Sequence, residues 1–527
     1  MNSETARLRS KVITAQQAAQ LIRDGDVVST SGIGAAGFPE ETVASLEERF
    51  LASGKPCNLT WFYASGQGDT KNRGLGHIAH EGLLDTVIGG HFGVSPRLGR
   101  MVIDGKVNAY NLPQGTICHL LRDIAAHKPG HLSSVGLGTF IDPRLGGGKL
   151  NSRTTKDIVS LVTLDGQDYI FYKSLPIRVG ILRGTTADCD GNVTCEHEAV
   201  QLEQLALAMA AHNSGGIVIA EVKYLANSGT LDPRDVRIPA ALVDYIVVAK
   251  PENHWQTHAE AFNPTYCGEL QTPLAEIATM EMSERKIIAR RAAMELRPGD
   301  IVNLGFGIPQ GVGTVAAEEG LIELLTLTTE PGVFGGAPAD GLAFGASANP
   351  RAIIDQPAQF DFYDGGGLDV AILGLAQADC EGNLNVSRFG SQLAGCGGFI
   401  NICQGAKKLV FAGTFTTGGL SISVEGETLA IVSEGRSRKF IKEVEQRTFS
   451  GSQATRQSQS VLYVTERCVF RLIEGGLELI EIAPGVDLEN DIFSKMDFRP
   501  AISPRLKNMD RRIFCVQPME LDAEVGP

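Results

Sequence analysis

The chain has 527 residues, 43% of them apolar and 20% charged, which is room for at least two ordinary cores. A net charge of −14 excludes a general nucleic-acid or anionic-membrane binder, although an anionic small molecule needs only a local basic pocket. No apolar run approaches a membrane span, Met1 to Val12 lacks the core of a signal peptide, and the ten cysteines fit neither a CxxC nor a zinc-ribbon spacing, so a cytoplasmic protein with reduced thiols and no metal is expected.

The first predicted helix opens at Thr14, which stands three residues before Gln17 in capping-box spacing. A Gly25-Asp26 turn and an apolar strand through Val28 follow, ending in the loop Ser31-Gly32-Ile33-Gly34-Ala35-Ala36-Gly37-Phe38-Pro39. His77-Ile78-Ala79-His80-Glu81 lacks the HExxH order and an evident third ligand, and reads as a helix surface or packed histidines. Between Ile117 and Arg183, Gly146-Gly147-Gly148-Lys149 marks a long loop. The turn Ala187-Asp188-Cys189-Asp190-Gly191-Asn192 precedes a strand at Ile217-Val218-Ile219-Ala220. From Pro251 to Met282 the chain is polar and carries Pro264 and Pro273, so it divides into 1–250, a linker 251–282, and 283–527.

A second helix is predicted from Ser283, then a strand through Val302 and the loop Gly305-Phe306-Gly307-Ile308-Pro309. That loop has a misplaced third glycine and a proline where a dinucleotide-binding helix should begin, and no GxxxxGK[ST] occurs. Next, Leu324-Leu325-Thr326-Leu327-Thr328-Thr329 reads as a buried strand stopped by Glu330-Pro331-Gly332-Val333-Phe334-Gly335-Gly336. The proline holds Glu330 extended, at the end of a strand where ligands of open α/β sheets gather. A rigid carboxylate beside approachable glycine N–H groups suits covalent carboxylate chemistry, and a solvated turn carboxylate is the other reading. Ala378-Asp379-Cys380-Glu381-Gly382-Asn383, the stretch Gly395-Cys396-Gly397-Gly398-Phe399-Ile400 and a strand near Leu409-Val410-Phe411-Ala412 complete the chain. The paired glycines either allow a tight turn or aim a backbone N–H at a developing oxyanion. All ten histidines lie at or before His258, so a histidine-based site would sit in or bridge from the first half, and His197, His254 and His258 read as structural.

The chain is written twice. Ile13, Ala15, Ala18, Ala19, Gly25, Asp26 and Val28 recur as Ile287, Ala289, Ala292, Ala293, Gly299, Asp300 and Val302, at a spacing of 274 (287 − 13). The Ala-Asp-Cys turns and the strands after them recur at 191 (378 − 187), so the first half carries an insertion of about 83 residues (274 − 191), much of it between Ile117 and Arg183. The fold expected is α/β: two tandem, duplicated open α/β domains with mostly parallel sheets covered by helices, and a ligand cleft between the halves.

With Glu330, the glycine loops and the duplication together, the chain resembles the class I coenzyme A transferases over roughly Lys11 to Phe514, and most closely their single-chain acetate/propionate branch. Asp26-Val27-Val28 through Gly37-Phe38-Pro39 is similar to that family's first signature, and Thr329-Glu330-Pro331-Gly332-Val333-Phe334-Gly335 to its second. The resemblance implies a NagB/CoA-transferase-like fold and exchange of coenzyme A between a short-chain acyl-CoA and a carboxylic acid such as acetate. It implies no cofactor or metal, a homo-oligomer (dimer or tetramer), and ping-pong transfer through a thioester on Glu330. Gly398, with Gly397, would supply the oxyanion N–H, and Gln114 and Asn303 would flank the site. Arg351 and Lys149 are candidates for the coenzyme A phosphates. Other branches read Ser-Glu-Asn-Gly where this chain has Thr329-Glu330-Pro331-Gly332, so their specificity does not carry over. An acyl-CoA hydrolase or a non-catalytic acyl-CoA binder on the same scaffold are the competing expectations.

Overall fold

The computed structural model describes residues 11–273 and 279–521. The stretch Met1 to Val12, read above for a signal peptide, falls almost wholly outside the described residues, as do 274–278 of the linker and the end of the chain from 522. Thr14 caps the first helix, Ala15–Leu21, with the reciprocal Gln17 contact in place, and Ser283 caps its counterpart Glu284–Ala293.

Each half is built on a sheet of ten strands. In the first, parallel strands run in the order Tyr245–Val248, Ile217–Ala226, Val179–Asp188, Val27–Thr30, Leu59–Tyr63, Leu84–Gly89, Asn108–Asn111. In the second, Ser460–Val464, Lys408–Ala412, Val370–Gly374, Ile301–Leu304 and Thr326–Thr329 repeat the first five of these positions, also in parallel. The duplicated motifs are therefore duplicated sheets. The copies part after the fifth strand. The first continues in parallel to Leu84–Gly89 and Asn108–Asn111, whereas the second turns back at once into the antiparallel pair Val333–Phe334. The extra residues of the first half thus lie in two places. One is this pair of added strands, and the other is a three-stranded antiparallel sheet of Gly130–Ser133, Gln167–Lys173 and Val159–Leu164.

Alternation along the strands divides the side chains between two faces. Trp61, Tyr63, Val87 and Ala109 pack with Ala18, Val43 and Leu46 of the helices Ala15–Leu21 and Glu40–Ser53. Phe62, Ile88 and Tyr110 belong to the opposite face, whose core continues through Ile117 and Leu121 of the helix Gln114–Ala125. That core does not stop at the boundary between halves. It runs on through Phe360 and Tyr363 of the helix Gln356–Asp364 to Ile400 and Phe411. No helix among the described residues is long and apolar enough to cross a membrane.

Candidate active site

Glu330 is placed by the strand that precedes it and the turn that follows. Thr326–Thr329 pairs in parallel with Ile301–Leu304, with Thr328 opposite Asn303. The three residues Glu330, Pro331 and Gly332 then reverse the chain, so that Thr329 faces Val333. Gly332 sits at φ +110°, and a Cβ there would lie 2.1 Å from the Ile354 carbonyl oxygen, so the reversal demands glycine. Thr329 Oγ1 donates to the Gly345 carbonyl at 3.0 Å and holds the base of the turn.

Across from Glu330 lies the loop Gly395 to Gly398. A Cβ on Gly398 would stand 2.8 Å from both the Glu330 carboxyl carbon and its Oε2, so the backbone approaches the carboxylate as only glycine allows. The first half holds this loop in place. Gln114 N–H donates to the Gly397 carbonyl (2.9 Å), Gly397 N–H to the Gly90 carbonyl (2.8 Å) and Cys396 N–H to Asn111 Oδ1 (2.9 Å). Beside them Gly115 N–H donates to Asn401 Oδ1 at 3.1 Å. The site is therefore a seam between the duplicated halves. Its carboxylate comes from one half and its Gln114 from the other.

Gln114 opens the helix Gln114–Ala125 behind Pro113 and is almost fully buried. Its side-chain amide faces the Glu330 carboxyl and favours the ionised form, although Nε2 stays outside full hydrogen-bond geometry among the described residues. Burial pushes the Glu330 carboxyl up to about 7, against the pull of the Gln114 side chain and the Gly398 N–H. Desolvation is thus the larger effect, and it leaves a poorly hydrated carboxylate that still ionises near neutrality. Asn303, buried at the end of its strand, donates through Nδ2 to the Thr328 carbonyl and to Tyr363 Oη, both at 3.3 Å, and its Oδ1 has no partner among the described residues. Glu330 and Asn303 line one cavity of 540 Å³, within the range of small-molecule sites.

Of the residues nominated from sequence, Glu330, Gly397, Gly398, Gln114 and Asn303 come together. Arg351 and Lys149 do not line this cavity. Arg351 is exposed and packs over Gly335, and Lys149 pairs with Asp157 at 2.6 Å on the insertion. The arginine that does line the cavity is Arg285, exposed two residues into the helix capped by Ser283. Sequence reading also passed over Asn111, whose signal was its place three residues ahead of Gln114, and His91. The His91 ring is wedged where a Cβ on Gly66 or Gly93 would fall, and burial pushes it down to about 4, a neutral imidazole next to Gly397. His77 is packed against carboxylates. Its two ring nitrogens bond Glu47 (2.5 Å) and Glu40 (2.9 Å).

A family model described as coenzyme A transferase matches residues 12–249. Caffeate CoA-transferase of Acetobacterium woodii is 50% identical over 523 residues, which span 98% of this chain and 100% of the relative. The acetate CoA-transferase YdiF of Escherichia coli (strain K12) is 43% identical over 520 residues, 98% of this chain and 96% of the relative. The crystal structure of the acyl-CoA transferase YdiF from E. coli O157:H7, in thioester complex with CoA, aligns over 98% of both chains with a TM-score of 0.92 and 41% identity.

Proposed function

The chain belongs to the coenzyme A transferase family, and we propose that it moves coenzyme A from a short-chain acyl-CoA to a small carboxylic acid such as acetate through a thioester on Glu330. One observation carries this reading: a carboxylate raised to about 7 lies against the Gly398 backbone, in a seam that Gln114 closes from the other half.

Ionised Glu330 attacks the thioester carbonyl, the C–S bond breaks, and CoA thiolate leaves an acyl-glutamyl anhydride. The thiolate then attacks the glutamyl carbonyl, which forms glutamyl-CoA and releases the first acid with one oxygen taken from Glu330. The acceptor carboxylate attacks the glutamyl thioester, the thiolate departs again, and its attack on the new acyl carbonyl frees Glu330 and completes the second acyl-CoA. Each tetrahedral oxyanion forms within reach of the Gly398 N–H and the Gln114 side-chain amide, the two donors that already face the carboxylate, in a site that sheds water. Water exclusion protects both activated carbonyls, since hydrolysis of either would turn the transferase into a thioesterase. The reading includes a cytoplasmic homo-oligomer that uses no metal or organic cofactor, coenzyme A itself being a substrate.

The test is isotopic. With propionyl-CoA as donor and acetate labelled with ¹⁸O as acceptor, initial-rate plots should be parallel and Glu330 should acquire one labelled oxygen. Intersecting plots with an unlabelled Glu330 would contradict the double displacement. A parallel assay with caffeate and acetate as acceptors reads the acid preference. CoA release that continues at full rate with no acid added would favour the hydrolase.

A further inference from the structure

Thr60, Thr86 and Asn108 stand side by side on three neighbouring strands of the first sheet, and two residues further along Phe62, Ile88 and Tyr110 do the same. Side chains two apart share a face, so a polar row and an apolar row run together across one side of the sheet. A parallel sheet is normally covered on both faces by helices. Over these rows the cover comes instead from the antiparallel insertion, and it leaves a cavity of 480 Å³. The two rows form its floor, and Leu112 and Leu120, on either side of Gln114, form its back wall.

The deep residues of this cavity are apolar and buried, whereas its charged residues are at the mouth. Four side chains set the charge there. Asp157 is held by Lys149 at 2.6 Å, and Asp85 by Arg153 at 3.2 Å and the Asn108 amide at 3.3 Å. The two cations are less closely held: Lys173 acts on the Asp157 carboxylate from beyond ion-pair distance. Lys173 Nζ donates to the Asp157 backbone carbonyl at 3.1 Å, and neither Lys156 nor Lys173 has a carboxylate within ion-pair distance among the described residues. An apolar slot that ends in two ammonium groups with no carboxylate in ion-pair contact is complementary to an anion with an apolar body. We propose that this cavity binds a free carboxylic acid with an apolar body, its carboxylate between Lys156 and Lys173 beside the Thr60 hydroxyl and its body along Phe62, Ile88 and Tyr110. The cavity shares no lining residue with the one that holds Glu330, so the proposal stands whether or not Glu330 is the nucleophile.

Octanoate is the probe, titrated calorimetrically into the full-length enzyme, with octanol as the uncharged control. The Lys156→Ala/Lys173→Ala variant removes the charge at the mouth, and Leu175→Trp fills the cavity from its wall. Octanoate should bind wild type more tightly than octanol does, and either variant should weaken octanoate by about tenfold or more. CoA-transfer turnover of both variants should match wild type, which reports that the fold is intact. An unchanged octanoate affinity in either variant, or equal affinity for octanol and octanoate, overturns the proposal.

Discussion

A carboxylate that acts as nucleophile must be ionised, and Glu330 ionises near pH 7 because burial outweighs the two donors that face it. Below about 7, kcat/KM should therefore fall about tenfold per pH unit, and above it the profile should level. A profile flat from pH 5 to 8 would remove Glu330 from the rate equation. Gly398→Ala tests the geometry without removing a donor. The new methyl would press on the Glu330 carboxyl from 2.8 Å, and a displacement of that order should cost roughly a hundredfold in kcat while the fold is kept. Turnover near wild type would mean that the carboxylate does not work in the position described here. Both residues were legible in the sequence, Glu330 from its proline-locked strand end and Gly398 from its glycine pair. His91 was not. Its place beside Gly397 depends on Gly66 and Gly93 making room for the ring, which no spacing along the chain announces.

The strand and helix ends that meet at the seam are held by backbone groups bonded to a few amide side chains. Asn111 alone receives the Cys396 N–H and donates to the carbonyls of Gly89 and Gly90. Asn111→Ala leaves buried partners unpaired, so stability should fall by about 2–3 kcal/mol and turnover with it, because Gln114 and Gly397 lose their common anchor. Denaturant curves that superpose on wild type would show that the halves are joined by other means. That equivalent strands recur in both halves could be read in advance, since the Gly-Asp and Ala-Asp-Cys turns mark them, although their order in the sheet could not. What could not be read was the divergence after the fifth strand. Leu59–Tyr63 and Thr326–Thr329 look alike as apolar runs, and only tertiary pairing decides that one is followed by parallel strands and the other by a hairpin. The cavity cation escaped for a similar reason, because Arg285 reaches it through packing between elements and not through a motif.

One core runs through both halves, and buried carboxylates of the first half couple the stability of the molecule to pH. Glu203 has neither oxygen paired among the described residues, and burial pushes it from 4.5 up to about 8. Glu221 is pushed to about 7 by burial although Thr42 and the Glu41 N–H bond it. The folded state keeps these protons where the unfolded chain sheds them, so stability falls as pH climbs from about 4.5 toward 8. Glu203→Gln removes one such group, and its melting temperature should exceed that of wild type by more at pH 8 than at pH 5. An equal difference at both would show that Glu203 is ionised in the folded protein. The proposed transfer rests on one chemical event, which can be observed directly. Enzyme mixed with acyl-CoA in the absence of acceptor, acid-quenched and digested, should yield the Glu330 peptide heavier by coenzyme A less one water. Borohydride treatment before digestion should remove that mass. Catalytically competent enzyme whose Glu330 peptide stays unmodified, or that carries coenzyme A on a different residue, would contradict the account.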